Sequence, residues 1–232
     1  MIDIFGIRIE KEIDSDDFNY LLNFISTARQ ERIKGFKFFK DAQRCLFGEI
    51  LARYAICRRL SIKNTELKFT RNEYGKPTIL EPEGLCFNIS HSGDWVVCAV
   101  DNKPIGVDVE FIKPIDLNIA RRFFSSDEYH DLINKENKIK YFYMLWTLKE
   151  SYVKAVGKGL SIPLKSFSFK IKNNDEIQFY TQNEFSGCSF WQHEIDQKHI
   201  VSVCFLKKGF NDNNINVISL PEIISMMNMA EK

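Results

Sequence analysis

From residue 2 to residue 9 the chain alternates between apolar and polar or charged positions, the period of a half-buried strand. Ser15-Asp16-Asp17 then offers capping chemistry ahead of the helical spacing Phe18, Leu21, Leu22, Ile25. A long core helix is predicted through DAQRCLFGEILARYAICRRL, where Leu46, Ile50, Tyr54 and Cys57 recur at helical intervals with no proline. LKFT reads as a short strand and Tyr74-Gly75-Lys76-Pro77 as a turn. CFNISHSGDWVVCAVD reads as a hairpin: strand Phe87 to Ile89, polar loop Ser90 to Asp94, apolar strand Trp95 to Val100.

A second round begins after the linker-like Asp101-Asn102-Lys103-Pro104. IGVDVE is a strand, and DLNIARRFFSSDEYHDLI forms one or two helical segments. NKENKIK is a charged loop, and YFYMLWTLKESYVKAVGKG is a long helix ended by Gly157 and Gly159. FSFKI, FWQHEI and HIVSVCFL follow as strands, and the C-terminal tail leaves room for a short helix. The two rounds match in order: Leu60-Ser61-Ile62 and Leu160-Ser161-Ile162 each follow a long helix, and WVVCAV and IVSVCF each close a half. The expected fold is therefore α+β, two similar α/β subdomains spanning 1–103 and 104–232, with a ligand cleft between them.

Charge and composition narrow the function. Thirty-two lysines and arginines offset 31 aspartates and glutamates, so no global field marks a nucleic-acid binder. Six cysteines form no CxxC pair and four histidines show no zinc spacing, so the cysteines read as reduced thiols. The N-terminal stretch MIDIFGIRIEKEID lacks the long apolar run of a signal peptide or membrane span, which fits a soluble cytoplasmic protein.

Candidate chemistry gathers at two acidic stretches. On a strand, Asp108 and Glu110 share one face; on a helix, Trp146, Glu150 and Lys154 share one stripe. Three hard oxygen donors that leave part of a cation's shell open suit a magnesium ion that also holds phosphates. The bland alternatives are an exposed strand face and an ordinary i,i+4 ion pair. Arg29, Arg32, Lys34, Lys37 and Lys40 form a local basic patch, either a solvated face or an anion-binding rim. Lys76 on its bend is by default solvated, and Ser90 with His91 either caps a turn or presents donors to a phosphate.

NISHSGDW, IGVDVE, FFSSDEY and WTLKESYVKAVGKGL, in this order and spacing, resemble the 4'-phosphopantetheinyl transferases of the large surfactin-synthetase-activating type, over about Ile4 to Phe205. The resemblance implies two subdomains in pseudo-twofold relation and a monomer. It implies transfer of phosphopantetheine from coenzyme A to a serine of an apo peptidyl or acyl carrier domain, releasing adenosine 3',5'-bisphosphate, in nonribosomal peptide or other secondary metabolism. Asp108, Glu110 and Glu150 match the family's magnesium ligands, and Lys154 its phosphate-contacting lysine. Asp108 is carried over to the catalytic set with Lys154 and Glu150, the last implicated in deprotonating the serine directly or through water. For coenzyme A the match covers Arg29, Arg32, Arg44, Lys76, Pro77, Ser90 and His91; the family carries lysine at the first two. The carrier is expected beside IKPIDLNIARRFF, with Arg121 and Arg122 facing its acidic surface. Rival readings are a silent carrier- or coenzyme-A-binding relative and another metal-dependent phosphotransferase.

Overall fold

The computed structural model describes residues 2–172, 176–183, 185–206 and 214–229. In chain order the elements are β1 (Asp3–Arg8), α1 (Ser15–Leu22), α2 (Thr27–Lys34), α3 (Phe39–Leu60), β2 (Lys68–Arg71), β3 (Pro77–Glu81), β4 (Cys86–Ser92), β5 (Trp95–Asp101), β6 (Ile105–Phe111), α4 (Ala120–Phe123), α5 (Ser126–Ile133), α6 (Lys138–Val156), β7 (Phe167–Lys172), β8 (Glu176–Thr181), β9 (Ser189–Asp196), β10 (His199–Phe205), β11 (Asn216–Val217) and α7 (Leu220–Met229). They pack into two compact units, one of Met1–Thr70, Pro77–Asn102 and Asn214–Lys232, the other of Arg71–Lys76 and Lys103–Asn213. The mid-chain crossover falls at Asn102/Lys103, one residue before the expected 103/104, and the division departs from a single boundary in two further places. Residues 71–76 join the second unit, and the tail returns to the first, where β11 extends β1 in parallel and Ile218, Ile223 and Met227 enter the core. The asparagine-rich start of the tail lies largely outside the described residues.

In the first unit β1, β5 and β4 form an antiparallel sheet in the order β1-β5-β4. Helix α3 covers the face that carries Phe5, Ile7, Val96 and Cys98, burying Leu46, Phe47, Ile50 and Leu51. Asp14, one residue before the expected capping cluster, is the true N-cap of α1 and accepts from the Asp17 amide at 2.8 Å. The polar loop expected at Ser90–Asp94 is corrected. Strand β4 runs on through Ser92, with Ser90 opposite Val97 and His91 opposite Val96. The turn needs only Gly93 and Asp94, because Gly93 supplies a positive φ of 56° at the first central position. Strand β3, read as part of a turn and loop, was hidden by the prolines at its two ends.

The second unit repeats the plan. β6, β10 and β9 are antiparallel in the order β6-β10-β9, α6 covers one face, and the ribbon β7-β8 follows α6 as the ribbon β2-β3 follows α3. The duplication thus holds for element order and strand pairing. Helix α6 starts at Lys138, inside the expected loop, because the Asn137 side chain accepts from the Lys140 amide. It ends at Gly157, left-handed with φ 78°.

A buried ion pair fixes the middle of α6. The Lys149 ammonium, fully shielded, lies 2.8 Å from Glu128 of α5 and donates to the carbonyls of Leu164 and Phe167, both at 2.8 Å. The Phe167 ring lies 4.5 Å away. Glu128 also accepts from the amides of Ser125 and Phe169, so every charge in the cluster is met. Burial lowers the Lys149 pKa against the opposing pull of Glu128. Lys149→Met, which strands the Glu128 carboxylate, is expected to lower unfolding free energy by about 3–5 kcal/mol in urea denaturation, and adding Glu128→Gln should recover part of it.

Candidate active site

Strand β6 presents Gly106, Asp108 and Glu110 on the face covered by α6, opposite Cys204, Ser202 and Ile200 of β10. The close approach is set at Gly106. A Cβ built there would stand 2.0 Å from the Ser151 carbonyl oxygen and 2.3 Å from the Ala155 amide nitrogen, both helix backbone. No side chain larger than hydrogen fits. With the helix this near, Glu150 and Lys154, one turn apart, overhang the strand's two carboxylates. Thr147 anchors the same face: its hydroxyl lies 2.7 Å from that of Ser202, and Gln192 donates to the Ser202 hydroxyl at 2.9 Å and to the Met144 carbonyl at 2.8 Å.

Lys154 Nζ contacts Asp108 Oδ1 at 2.6 Å, with Asp108 almost wholly buried and Lys154 about a quarter exposed. The Glu150 pKa is raised, first by burial, then by the negative charge of Asp108 and less by Glu110, with Lys154 pulling the other way. Three carboxylates and one ammonium thus share a single electrostatic neighbourhood. Among the described residues no three acidic, histidine or cysteine side chains converge into a formed metal site. The donor set nevertheless suits a hard divalent ion: it is all-oxygen, and its carboxylates outnumber the ammonium three to one.

The other expected residues divide by unit. In the first, Ser90 is buried and His91 exposed on β4. Arg44 donates from Nε to the Gly93 carbonyl at 2.9 Å and from Nη1 to Asp41 at 3.0 Å, so it braces the hairpin turn next to them. Arg44 also lines a cavity of about 370 Å3 with Lys11, Lys40, Gln43 and Asp94. Arg29 is ion-paired with Glu49 at 2.9 Å, and Glu49 also holds Arg53. Arg32 and Pro77 are exposed. Lys76, expected on a solvated bend, belongs to the second unit and turns its ammonium onto backbone carbonyls there.

Residues 104–204 match the family profile described as the 4'-phosphopantetheinyl transferase superfamily, and residues 12–103 match the 4'-phosphopantetheinyl transferase N-terminal profile. The chain is 38% identical over 223 residues to the 4'-phosphopantetheinyl transferase Sfp of Bacillus subtilis, covering 95% of this chain and 99% of that protein. It belongs to the 4'-phosphopantetheinyl transferases. The transferase gsp of Aneurinibacillus migulanus is 37% identical over 97% of this chain and 95% of its own length. More distant is the L-aminoadipate-semialdehyde dehydrogenase-phosphopantetheinyl transferase of Rattus norvegicus, 30% identical over 83% of this chain and 71% of its own.

Some of what builds the candidate site was not read from the sequence. Gly106 is visible only as a glycine inside a strand pattern, a signal of close backbone approach. Lys149 hides within WTLKES as one more helix cation, although a lysine between Leu148 and Glu150 breaks the apolar stripe. Gly106→Ala is expected to destabilise the transferase by about 3 kcal/mol, the upper end of the usual overpacking range, since the clash is with backbone and no side chain can move aside. Thermal unfolding of the purified variant checks this, and a melting temperature unchanged from wild type would refute the close approach.

Proposed function

We propose that this 4'-phosphopantetheinyl transferase uses magnesium at Asp108, Glu110 and Glu150 to move phosphopantetheine from coenzyme A to a serine of an apo peptidyl or acyl carrier domain. The observation that carries the reading is the charge cluster on β6 and α6: three carboxylates, one with a raised pKa, and an ammonium 2.6 Å from the most buried of them. Held by Asp108, Glu110 and Glu150, the ion would supply positive charge that stabilises the negative charge on the leaving group.

The chain's own groups then have separate tasks. Lys154, held against Asp108, is aimed by that contact and would neutralise a phosphate oxygen beside it. Glu150, a weakened base once it holds magnesium, would accept the serine proton directly or through water. The serine Oγ forms the new bond to phosphorus, the bond from that phosphorus to the bridging oxygen breaks, and adenosine 3',5'-bisphosphate leaves with the electron pair. Ser90, His91 and Arg32 are proposed to meet the coenzyme A phosphates. Arg29 and Arg44 would first have to exchange their carboxylate partners Glu49 and Asp41, and Pro77 would bound the nucleotide. Carrier domains would meet the exposed Arg121 and Arg122 of α4. We place the enzyme in the cytoplasm as a monomer serving secondary metabolism; its six cysteines are unbridged thiols.

Mass spectrometry of an apo carrier domain incubated with coenzyme A should show the gain of one phosphopantetheine, abolished by chelation and restored by magnesium. Asp108→Ala and Glu150→Ala should each lower the rate by more than the roughly 10- to 100-fold typical of outer-shell partners, with folding intact by circular dichroism. Normal turnover by either variant would remove the metal assignment.

A further inference from the structure

Helix α6 ends within a turn of Lys154, and its last carbonyls have no intrahelical partner. The Gly157 amide closes only the Val153 carbonyl, at 2.9 Å. The next two, those of Lys154 and Ala155, are met by the Lys76 ammonium at 2.5 and 3.4 Å, and the same nitrogen reaches the carbonyl of Ile105, the first residue of β6, at 3.2 Å. An ammonium has three donors, and here three carbonyls receive them. They come from the two elements that carry all four charged residues of the site. The segment leading to Lys76 is itself built for this. Asn72 donates to the Gly157 carbonyl at 2.9 Å, and its side-chain oxygen accepts from the amides of Tyr74 and Lys76 at 3.0 and 2.8 Å. Gly157 leaves room for the strap, since a Cβ there would stand 3.0 Å from Lys76 Cδ.

We infer that Lys76 is a positioning residue. It clips the C-terminal turn of α6 to the start of β6 and thereby aims Lys154 at Asp108, rather than serving chiefly to bind coenzyme A. A cation at a helix C-terminus is favoured by the helix dipole and by the open carbonyls, which gives the arrangement its physical basis. The inference rests on the transferase reading for its kinetic consequence, but the clip itself is independent of it.

The test uses the full chain with Lys76→Met, Lys76→Arg and Asn72→Ala. Amide hydrogen exchange by mass spectrometry, without substrate, should speed up at least about tenfold in peptides covering 154–158 for Lys76→Met and Asn72→Ala. With coenzyme A and an apo carrier domain, Lys76→Met should lose on the order of 10- to 100-fold in kcat while KM for coenzyme A stays within about twofold, because Lys154 is misplaced at the reacting phosphate. Lys76→Arg, which keeps the carbonyl contacts, should restore most of both. A KM raised tenfold or more with kcat and exchange unchanged would overturn the inference and make Lys76 a phosphate ligand. If Lys76→Met does not fold, Asn72→Ala decides: it removes no charge, so a phosphate-binding role predicts unchanged exchange and kcat. Should the wild-type chain transfer nothing, the transferase reading fails while the exchange measurement still decides the clip.

Discussion

The approach of α6 to β6 over Gly106 is the constraint on which the rest of the site depends. Helix backbone sits where a side chain would otherwise stand, so Glu150 and Lys154 reach Asp108 and Glu110 with no apolar layer between. Such proximity is unfavourable on its own terms. Burial raises the Glu150 pKa, and the neighbouring carboxylates add to it. The cluster persists because packing elsewhere over-determines the position of the helix.

That packing is polar as well as apolar. Lys149 and Glu128 tie α6 to α5 and to the entry of β7, and Thr147, Ser202 and Gln192 join it to β10 and β9. Around them Phe142 stacks on Phe124 and Trp146, and Tyr152 packs among Phe167, Phe179 and Phe185. Apolar contacts alone leave a helix free to slide or turn by a few degrees; directional bonds at residues 147 and 149 fix its rotation on both sides of Glu150.

Periodicity revealed most of the frame. The long helices α3 and α6, strands β1, β5, β6 and β10, and the repeated order were legible because each buries one continuous apolar stripe. Short or exposed elements were not: β3 and β8 lack a buried stripe, and β11 is two residues long. Ser90 and His91 were placed in a loop because polar residues next to a glycine look like one, although their strand pairing continues to Ser92. The charged residues of β6 and α6 were found by spacing and resemblance. What positions them, Gly106, Lys149 and the carbonyl contacts of Lys76, was not, because backbone approach and backbone acceptors leave almost no trace in side-chain pattern.

The repeated frame holds a further meaning. Aligning the two sheets by the residues that face their helices sets Phe5, Ile7 and Cys98 of the first unit against Gly106, Asp108 and Cys204 of the second. In the first unit a phenylalanine ring, edge-on to Tyr54, fills the space that the second leaves to helix backbone, and an isoleucine stands where the second has its buried carboxylate. A chain with an internal copy thus carries its own reference sequence. The places where one copy abandons apolar filling under its helix set the candidate site apart from within, with no relative needed for the comparison.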